Sequence, residues 1–219
     1  MERTGLYPAA SRTAPITLYG AARRALDVVA AAALLVLSLP FLLAISIAIA
    51  IDSGIPIIYR CRRLGRHGQP ITVLKFRTMR NGSHHHLHDL LSADEMRALE
   101  YTQKRKLKDD PRRTRVGTFL RRTSLDELPQ LLNVLAGDMS LIGPRPYFAD
   151  ELLQRPEAAQ ILSMRPGITG LWQTNGRSDR TFEERVAYDV LYVRNAGVRM
   201  DARIMLRTLS AVFSGRGAY

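Results

Sequence analysis

Two adjacent carboxylates, Asp126 and Glu127, stand in the stretch "SLDELPQLLNVLAGDMSLIGPRP" of a chain dominated by cations. The pair admits two readings. Ser124-Leu125-Asp126-Glu127 fits the S-x-x-E capping box, in which serine and glutamate satisfy backbone donors at a helix start, and the acids suit the helix dipole. The other reading is chemical. A helix start offers free N–H groups to anions and favours ionised Asp126, the form that attacks phosphorus. Glu127 would then hold Mg²⁺, a hard cation that takes one or two carboxylates together with substrate phosphates. A carboxylate approaches a phosphorylated substrate only if cations neutralise the phosphates. Lys75, Arg77, Arg121, Arg122 and Arg145 are available for that task. Each alone is explained as a solvated surface charge; as a set they fit an anionic substrate.

The elements that must position these residues follow from composition and pattern. A chain of 219 residues suits one globular domain plus an attachment. Lysine and arginine outnumber the acids 32 to 20, a formal charge of +12. That excess favours polyanions: nucleic acid, anionic lipid or phosphorylated substrates. The single cysteine, Cys61, excludes an intramolecular disulfide and is consistent with a reducing compartment. A membrane-anchored nucleic-acid-binding protein is one alternative. It would need base-stacking aromatics among the basic residues or a recognisable reading helix, whereas Trp172 stands alone and no such motif is present. The expected partners therefore exclude nucleic acid.

Residues 28–51, "VVAAAALLVLSLPFLLAISIAIAI", carry no charge and are long enough to span a bilayer. Arg23 and Arg24 precede the run, and Arg60, Arg62, Arg63 and Arg66 follow it, which draws both ends to the cytoplasmic side. Ser38-Leu39-Pro40 lies near the middle; proline removes a backbone donor, and a nearby serine hydroxyl can satisfy a freed carbonyl. These features predict a re-entrant helix–break–helix over residues 23–52, each arm about a dozen residues or roughly 18 Å long. A proline-kinked full span is the competing reading. The run exceeds the usual apolar region of a signal peptide, and a soluble core helix of this length would need cover on every side.

Residues 1–22 lack periodicity and read as a loose tail; residues 53–219 form the remaining domain. Within it, "PIIYR" and "ITVLKF" predict a β-hairpin turned at Gly65 to Pro70. Residues 80–112 read as a polar insertion, "NGSHHHLHDLL" followed by a charged helical stretch to "KLKDDPR". There His84, His85, His86 and His88 follow an Asn-Gly-Ser that marks a mobile loop, and adjacent histidines cannot all face one ion. A helical stretch from 116 to 136 stops at Gly137. "SLIGPRP" and "RPGITGLW" read as loops, and helices follow near 181–194 and 201–214. In the last of these, Met205, Leu209, Val212 and Phe213 share a face flanked by Arg203 and Arg207, a pattern that suits a membrane surface or a core. The fold class is α+β, mostly helical, with a small hairpin or sheet beside a membrane anchor.

In order, "YRCRRLGRHGQP", "LKFRTM", "DDPRRTRVGTFLRRTSLDELPQLLNVLAGDMSLIGPRP", "RPGITGLWQTNGR" and "AYDVLYVRN" follow a broken apolar segment. On these motifs the chain resembles the bacterial sugar transferases, monotopic phosphoglycosyl transferases, and especially those that prime exopolysaccharide repeat units. The match runs from about Arg23 to the C-terminus. The resemblance implies an enzyme at the cytoplasmic face of the bacterial inner membrane. It would move a sugar-1-phosphate from a UDP-sugar, UDP-galactose or UDP-glucose, to polyprenyl phosphate and release UMP. It further implies Asp126 as the nucleophile of a covalent aspartyl-phosphosugar intermediate and Glu127 as the Mg²⁺-associated acid. Lys75, Arg77, Arg122, Arg145, Gln173, Arg177 and Asp189 match positions tied to substrate binding or site organisation. Ser38 and Pro40 match the membrane break, although Leu39 stands where many members have serine directly before proline. Partners implied are UDP-sugar, polyprenyl phosphate, inner-membrane lipids and, for some members, a second copy of the chain. An inactive relative serving as a membrane scaffold is the remaining alternative; intact Asp126, Glu127 and Arg145 argue against it.

Overall fold

The computed structural model describes residues 18–176 and 179–214. Its first element, α1 (Leu18–Ser53), is a 36-residue helix, about 54 Å long at the α-helical rise. Only 11% of its most apolar stretch is buried against the protein, and Leu26, Val29, Leu37, Phe41 and Ile51 are among its exposed side chains. A helix this long and apolar can associate with a membrane. Residues 18–22, assigned above to the tail, are its first turn. Tyr19 ties that turn down by donating to Asp201 Oδ2 at 2.7 Å.

The break expected at Ser38-Leu39-Pro40 is not a gap in the helix. α1 runs through it with Pro40 inside. Proline forfeits the bond its own N–H would make, but the turns on either side stay paired. The Ser38 hydroxyl donates to the Leu35 carbonyl at 3.1 Å, one turn before the proline.

Both ends of α1 are held by the same folded domain. Near its start Arg24 donates to the Val134 and Leu135 carbonyls at 2.6 and 3.1 Å, capping the C-terminus of α5 (Gln130–Ala136). Arg23 reaches Ser140 Oγ and the Ile142 carbonyl. Asp27 accepts from Ser140 Oγ at 2.7 Å and from Leu141 N at 3.0 Å, which accounts for a buried acid in this helix. At the other end, Arg77 donates to the Ser53 and Gly54 carbonyls. Ile45 and Ile49 meanwhile pack with Phe76 and Leu120.

The predicted hairpin is present as β1 (Ile58–Leu64) and β2 (Pro70–Phe76), antiparallel, with Tyr59 opposite Lys75 and Cys61 opposite Val73. In the insertion, the His-bearing stretch expected as a mobile loop is helix α2 (Ser83–Ala93), and the expected charged helical stretch is α3 (Glu95–Lys104); the two pack as a pair. The His84–His88 run thus lies on α2; the side chains of His84 and His85 are outside those described. Asp94 caps α3 by accepting from Arg97 N at 3.1 Å.

The segment predicted as one helix to residue 136 is two. α4 (Arg115–Thr123) starts on Thr114, whose hydroxyl accepts from Gly117 N at 2.9 Å. It stops at Ser124, which adopts a left-handed conformation (φ 59°). A 3₁₀ turn over Leu125–Glu127 then leads to α5, which ends, as predicted, at left-handed Gly137. The stretches read as glycine-proline loops contain a parallel pair, β3 (Ser140–Ile142) and β4 (Gly167–Thr169). Glycine is required here: a Cβ on Gly167 would lie 2.1 Å from Gly143 N. Two short helices, α6 (Ala149–Leu152) and α7 (Ala158–Ile161), precede α8 (Phe182–Asn195) and α9 (Val198–Ser214).

The largest core cluster joins Ala31 of α1, Val73 of β2, Leu131 and Val134 of α5, Leu141, Tyr192 and Ile204. The proposed stripe on α9 is divided. Ile204 is fully buried and Met205 packs beside it, Leu209 remains exposed, and the side chains of Val212 and Phe213 lie outside those described. The domain is mostly helical with small two-stranded sheets, as expected.

Candidate active site

Asp126 and Glu127 project from the 3₁₀ turn between α4 and α5. The capping box does not form. Ser124 ends α4 and its hydroxyl caps neither helix, so the turn, not a helix N-terminus, presents the acids. Neighbouring Leu125 and Leu128 pack into the core beside α1 and fix the turn.

α5 is fastened to β2 by Asn133. Its side chain donates to the Thr72 carbonyl at 2.7 Å and accepts from Leu74 N at 3.0 Å, imitating a neighbouring strand. This bridge brings Lys75 of β2 onto Glu127, Nζ to Oε1 at 2.7 Å. Burial alone would raise the Glu127 carboxyl. The Lys75 charge and hydrogen bond, with Lys106 and Arg145, outweigh it and hold the group below its ordinary value.

Asp126 is in a different condition. It is 8% exposed and accepts no hydrogen bond from the described residues. Burial lifts its carboxyl above the ordinary value against the pull of Lys75, Arg121 and Lys106, with Glu127 adding to the rise. One acid is therefore anchored and ionised. Its neighbour is unanchored and depends on surrounding cations for its charge.

A cleft of about 1250 Å³ opens over the pair. By residue type its lining divides into a polar arm, with Lys75, Lys106, Arg121, Arg145, Gln173 and Arg63, and an apolar arm, with Leu34, Leu37 and Phe41 of α1 and Met205 and Leu209 of α9. A smaller cavity of about 490 Å³, near Asp52 and Arg115, lies beside the end of α1 and is not lined by the acids.

The residues expected to bind substrate divide. Lys75 and Arg145 reach the cleft. So does Gln173, whose Oε1 is buried without a partner among the described residues. Arg77 borders the cleft, but its guanidinium is committed to the end of α1 and to Asn81 Oδ1 at 2.6 Å. Arg122 is exposed on α4 and does not line the cleft; its neighbour Arg121 does, with Nε held by Thr78 Oγ1 at 2.9 Å. Successive helical residues point about 100° apart, so only one of the two can face inward. Arg177 lies outside the described residues.

Asp189 does not reach the cleft. It is fully buried on α8, where Oδ2 accepts from Arg145 N at 2.9 Å and from the Tyr147 hydroxyl at 2.7 Å. It clamps the Pro144-Arg145-Pro146 segment from behind. Burial pushes its carboxyl up to about 7, opposed by those hydrogen bonds and the Arg145 charge.

Sequence reasoning missed Lys106, Arg63, Glu151 and Gln130. Lys106 lines the polar arm, where burial and the cations Arg121, Arg145 and Lys75 drive its pKa well down. It comes from the polar insertion, in which nothing separates it from the surrounding lysines. Gln130 is 2% exposed, with Nε2 unpartnered among the described residues; as the fifth residue after Leu125 it was read only as part of a helix.

Among the described residues, no three His, Cys, Asp or Glu converge to hold a metal. Two adjacent acids suit a cation that fills its shell with phosphate oxygens and water, as Mg²⁺ does.

This combination of turn-borne acids, a basic cleft and a long, exposed apolar helix defines a class. Residues 18–215 match the model of the family described as bacterial sugar transferase, and the chain belongs to that family. Its relatives include the exopolysaccharide production protein ExoY of Sinorhizobium fredii, 45% identical over 202 residues, covering 91% of this chain and 89% of the relative. The undecaprenyl-phosphate galactose phosphotransferase of Salmonella typhimurium is 42% identical over 90% of this chain but only 41% of its own length. The UDP-glucose:undecaprenyl-phosphate glucose-1-phosphate transferase of Escherichia coli is 39% identical, again over 90% of this chain and 41% of its own length.

Proposed function

We propose that the chain transfers a hexose-1-phosphate, galactose or glucose, from a UDP-sugar to polyprenyl phosphate, the first membrane step of exopolysaccharide synthesis. The observation that carries this reading is Asp126: a buried carboxylate with no hydrogen-bond partner among the described residues, in a cleft with a cationic arm and an apolar arm. One arm suits a nucleotide-sugar diphosphate and the other a polyprenyl chain. The names of the relatives point the same way.

In the first step a carboxylate oxygen of Asp126 attacks the sugar-bearing phosphorus. The bond from that phosphorus to the bridging oxygen breaks, and UMP leaves with the electron pair. Lys75, Lys106, Arg121 and Arg145 offset the repulsion between carboxylate and diphosphate and stabilise charge on the departing oxygen. In the second step an oxygen of polyprenyl phosphate attacks the same phosphorus, freeing the Asp126 carboxylate and forming polyprenyl-diphospho-sugar. Splitting the transfer lets one site serve a soluble and a lipid substrate in turn. Mg²⁺, held by Glu127 with the substrate phosphates, would supply further charge neutralisation at the phosphorus.

The membrane arrangement we propose is monotopic, on the cytoplasmic face. The attachment of both ends of α1 to one domain supports it, because a straight span would place those attachments on opposite sides of the bilayer. The basic residues flanking the apolar run favour the cytoplasmic side.

The test is UMP release by purified protein given UDP-galactose, UDP-glucose and other UDP-sugars with undecaprenyl phosphate. Asp126→Asn should abolish release, and Glu127→Gln should nearly do so. UDP-sugar alone should leave a phosphohexose on the peptide containing Asp126, detectable by mass spectrometry. Normal turnover by Asp126→Asn would refute the covalent route.

A further inference from the structure

We infer that Arg63 and Arg145 together form the subsite for the phosphate that departs with the nucleotide. The inference rests on the reaction proposed above and assigns the leaving-group end of its site. The two arginines come from separate elements, Arg63 from β1 and Arg145 from the segment after β3, and both line the cleft. Between them stands Glu151 of α6, 3.8 Å from Arg63 Nη1 and 3.9 Å from Arg145 Nη2. All three side chains are largely withdrawn from solvent: 15% exposed for each arginine and 5% for the glutamate.

The charge does not balance. One carboxylate is shared by two guanidinium groups, and it also accepts from Phe148 N at 3.1 Å. Among the described residues, Arg63 Nη1 and Arg145 Nε remain buried donors without hydrogen-bond partners. Buried polar groups are nearly always paired, and one left unpaired on a charged side chain is unfavourable unless a ligand completes it. Burial and the nearby charge of Arg145 also pull the Arg63 pKa down. An anion bound between the two would relieve both strains.

Their geometry suits phosphate. Arg63 stacks over the Phe148 ring at 3.2 Å from the centroid, and Arg145 lies 5.8 and 5.9 Å from the Tyr147 and Trp172 rings. Aromatic faces orient the planar groups and leave N–H edges for a ligand, and a guanidinium edge matches two phosphate oxygens. Position decides which phosphate. Lys75 and Lys106 act on both acids, while Arg121 is among the charges on Asp126 and Arg145 among those on Glu127. With the attacked phosphorus at Asp126, the other phosphate of the diphosphate falls toward Arg145 and Arg63. That phosphate gains charge as its bond to the attacked phosphorus breaks, so cations there assist departure.

The test measures binding of UMP, with uridine as the phosphate-free control, to the full chain in nanodiscs. Arg63→Met should weaken UMP at least tenfold and leave uridine unchanged. Arg63→Lys keeps the charge but loses the fork and should fall between; it also serves should the methionine variant fold poorly. In the unsubstituted chain UMP, the product of the first step, should inhibit turnover in competition with polyprenyl phosphate, and Arg63→Lys should relieve that inhibition in proportion to its lost affinity. UMP affinity unchanged in both variants overturns the subsite, even where UDP-sugar turnover by the unsubstituted chain upholds the reaction. A tenfold loss of UMP affinity in a chain that turns over no UDP-sugar would instead keep the nucleotide-phosphate site and reject the reaction.

Discussion

Replacing Asp189 by asparagine removes a charge and keeps a shape. The native carboxyl is fully buried and, among the described residues, accepts both of its hydrogen bonds on Oδ2 and leaves Oδ1 without a partner. Its pKa, raised by burial from 3.8 to about 7, means that the folded protein binds this proton more tightly than the unfolded chain does. Stability contributed by the proton is therefore complete below about pH 4, falls as pH rises, and is gone above about pH 7. The gap corresponds to about 4 kcal/mol, an upper figure because relaxation around the charge reduces it. At ~2–4 °C per kcal/mol for a domain of this size, Tm should drop by several degrees between about pH 5 and pH 8. Asparagine cannot ionise, and its carbonyl can still accept from Arg145 N and Tyr147. The Asp189→Asn curve should thus be flatter, and the variant should be the more stable protein at about pH 8. UMP release should survive in Asp189→Asn and fall in Asp189→Ala, where the segment carrying Arg145 loses its clamp. Thermal unfolding of both proteins in one detergent across the pH range decides the matter. Parallel curves, or an asparagine variant less stable at about pH 8, would refute the reasoning.

The two adjacent arginines of α4 give a sharp contrast. Arg121→Met should cut kcat/KM for UDP-sugar by about tenfold or more, a cost of ~1.4 kcal/mol upward, whereas exposed Arg122→Met should stay within about twofold. Lys75→Met should cost about tenfold rather than the ~3–5 kcal/mol of a fully buried pair, because Lys75 and Glu127 keep 31% and 32% of their side-chain surface exposed. The same change removes what holds the Glu127 carboxyl down, so the acidic limb of the pH–rate profile should move to higher pH; an unmoved limb would detach Glu127 from it. Cysteines introduced at Gly20 and Arg60 should label from the same, cytoplasmic side of intact cells, and labelling from opposite sides would establish a full span.

Much of the site was legible because its chemistry lies in short contiguous stretches. Asp126-Glu127, Lys75 and Arg145 declared themselves by type and company. The hairpin was readable from its β-rich arms, and the stop at Gly137 from the conformation only glycine adopts easily. What failed depended on tertiary direction. Arg121 and Arg122 are indistinguishable in sequence, yet one helical step decides which faces the cleft. Ser124 fits a capping box by spacing, but α4 arrives from the other side and uses it as a terminus. Arg77 resembles a phosphate ligand until α1, far away in sequence, delivers carbonyls that absorb its donors. Asp189 lies 44 residues from the backbone N–H it holds, a separation no local pattern reports.

The long apolar helix α1 is part of the scaffold of the candidate site, not an appendage to it. Its first turns cap α5 and hold β3 through Arg24 and Asp27; its last turns pack on α4 and receive Arg77. α4 and α5 flank the turn that carries Asp126 and Glu127, and β3 leads directly into the segment that carries Arg145. The apolar arm of the cleft is walled by the same helix at Leu34, Leu37 and Phe41. Without α1, the Ser140 hydroxyl and Leu141 N would lose Asp27 as their partner, and Val134 and Leu120 would lose the cover of Ala31 and Ile49. Moving α1 relative to the domain therefore moves both walls of the turn that bears the acids. On the reaction proposed above, such a chain should be active only where α1 is seated, at the boundary where a water-soluble diphosphate and a lipid phosphate can meet.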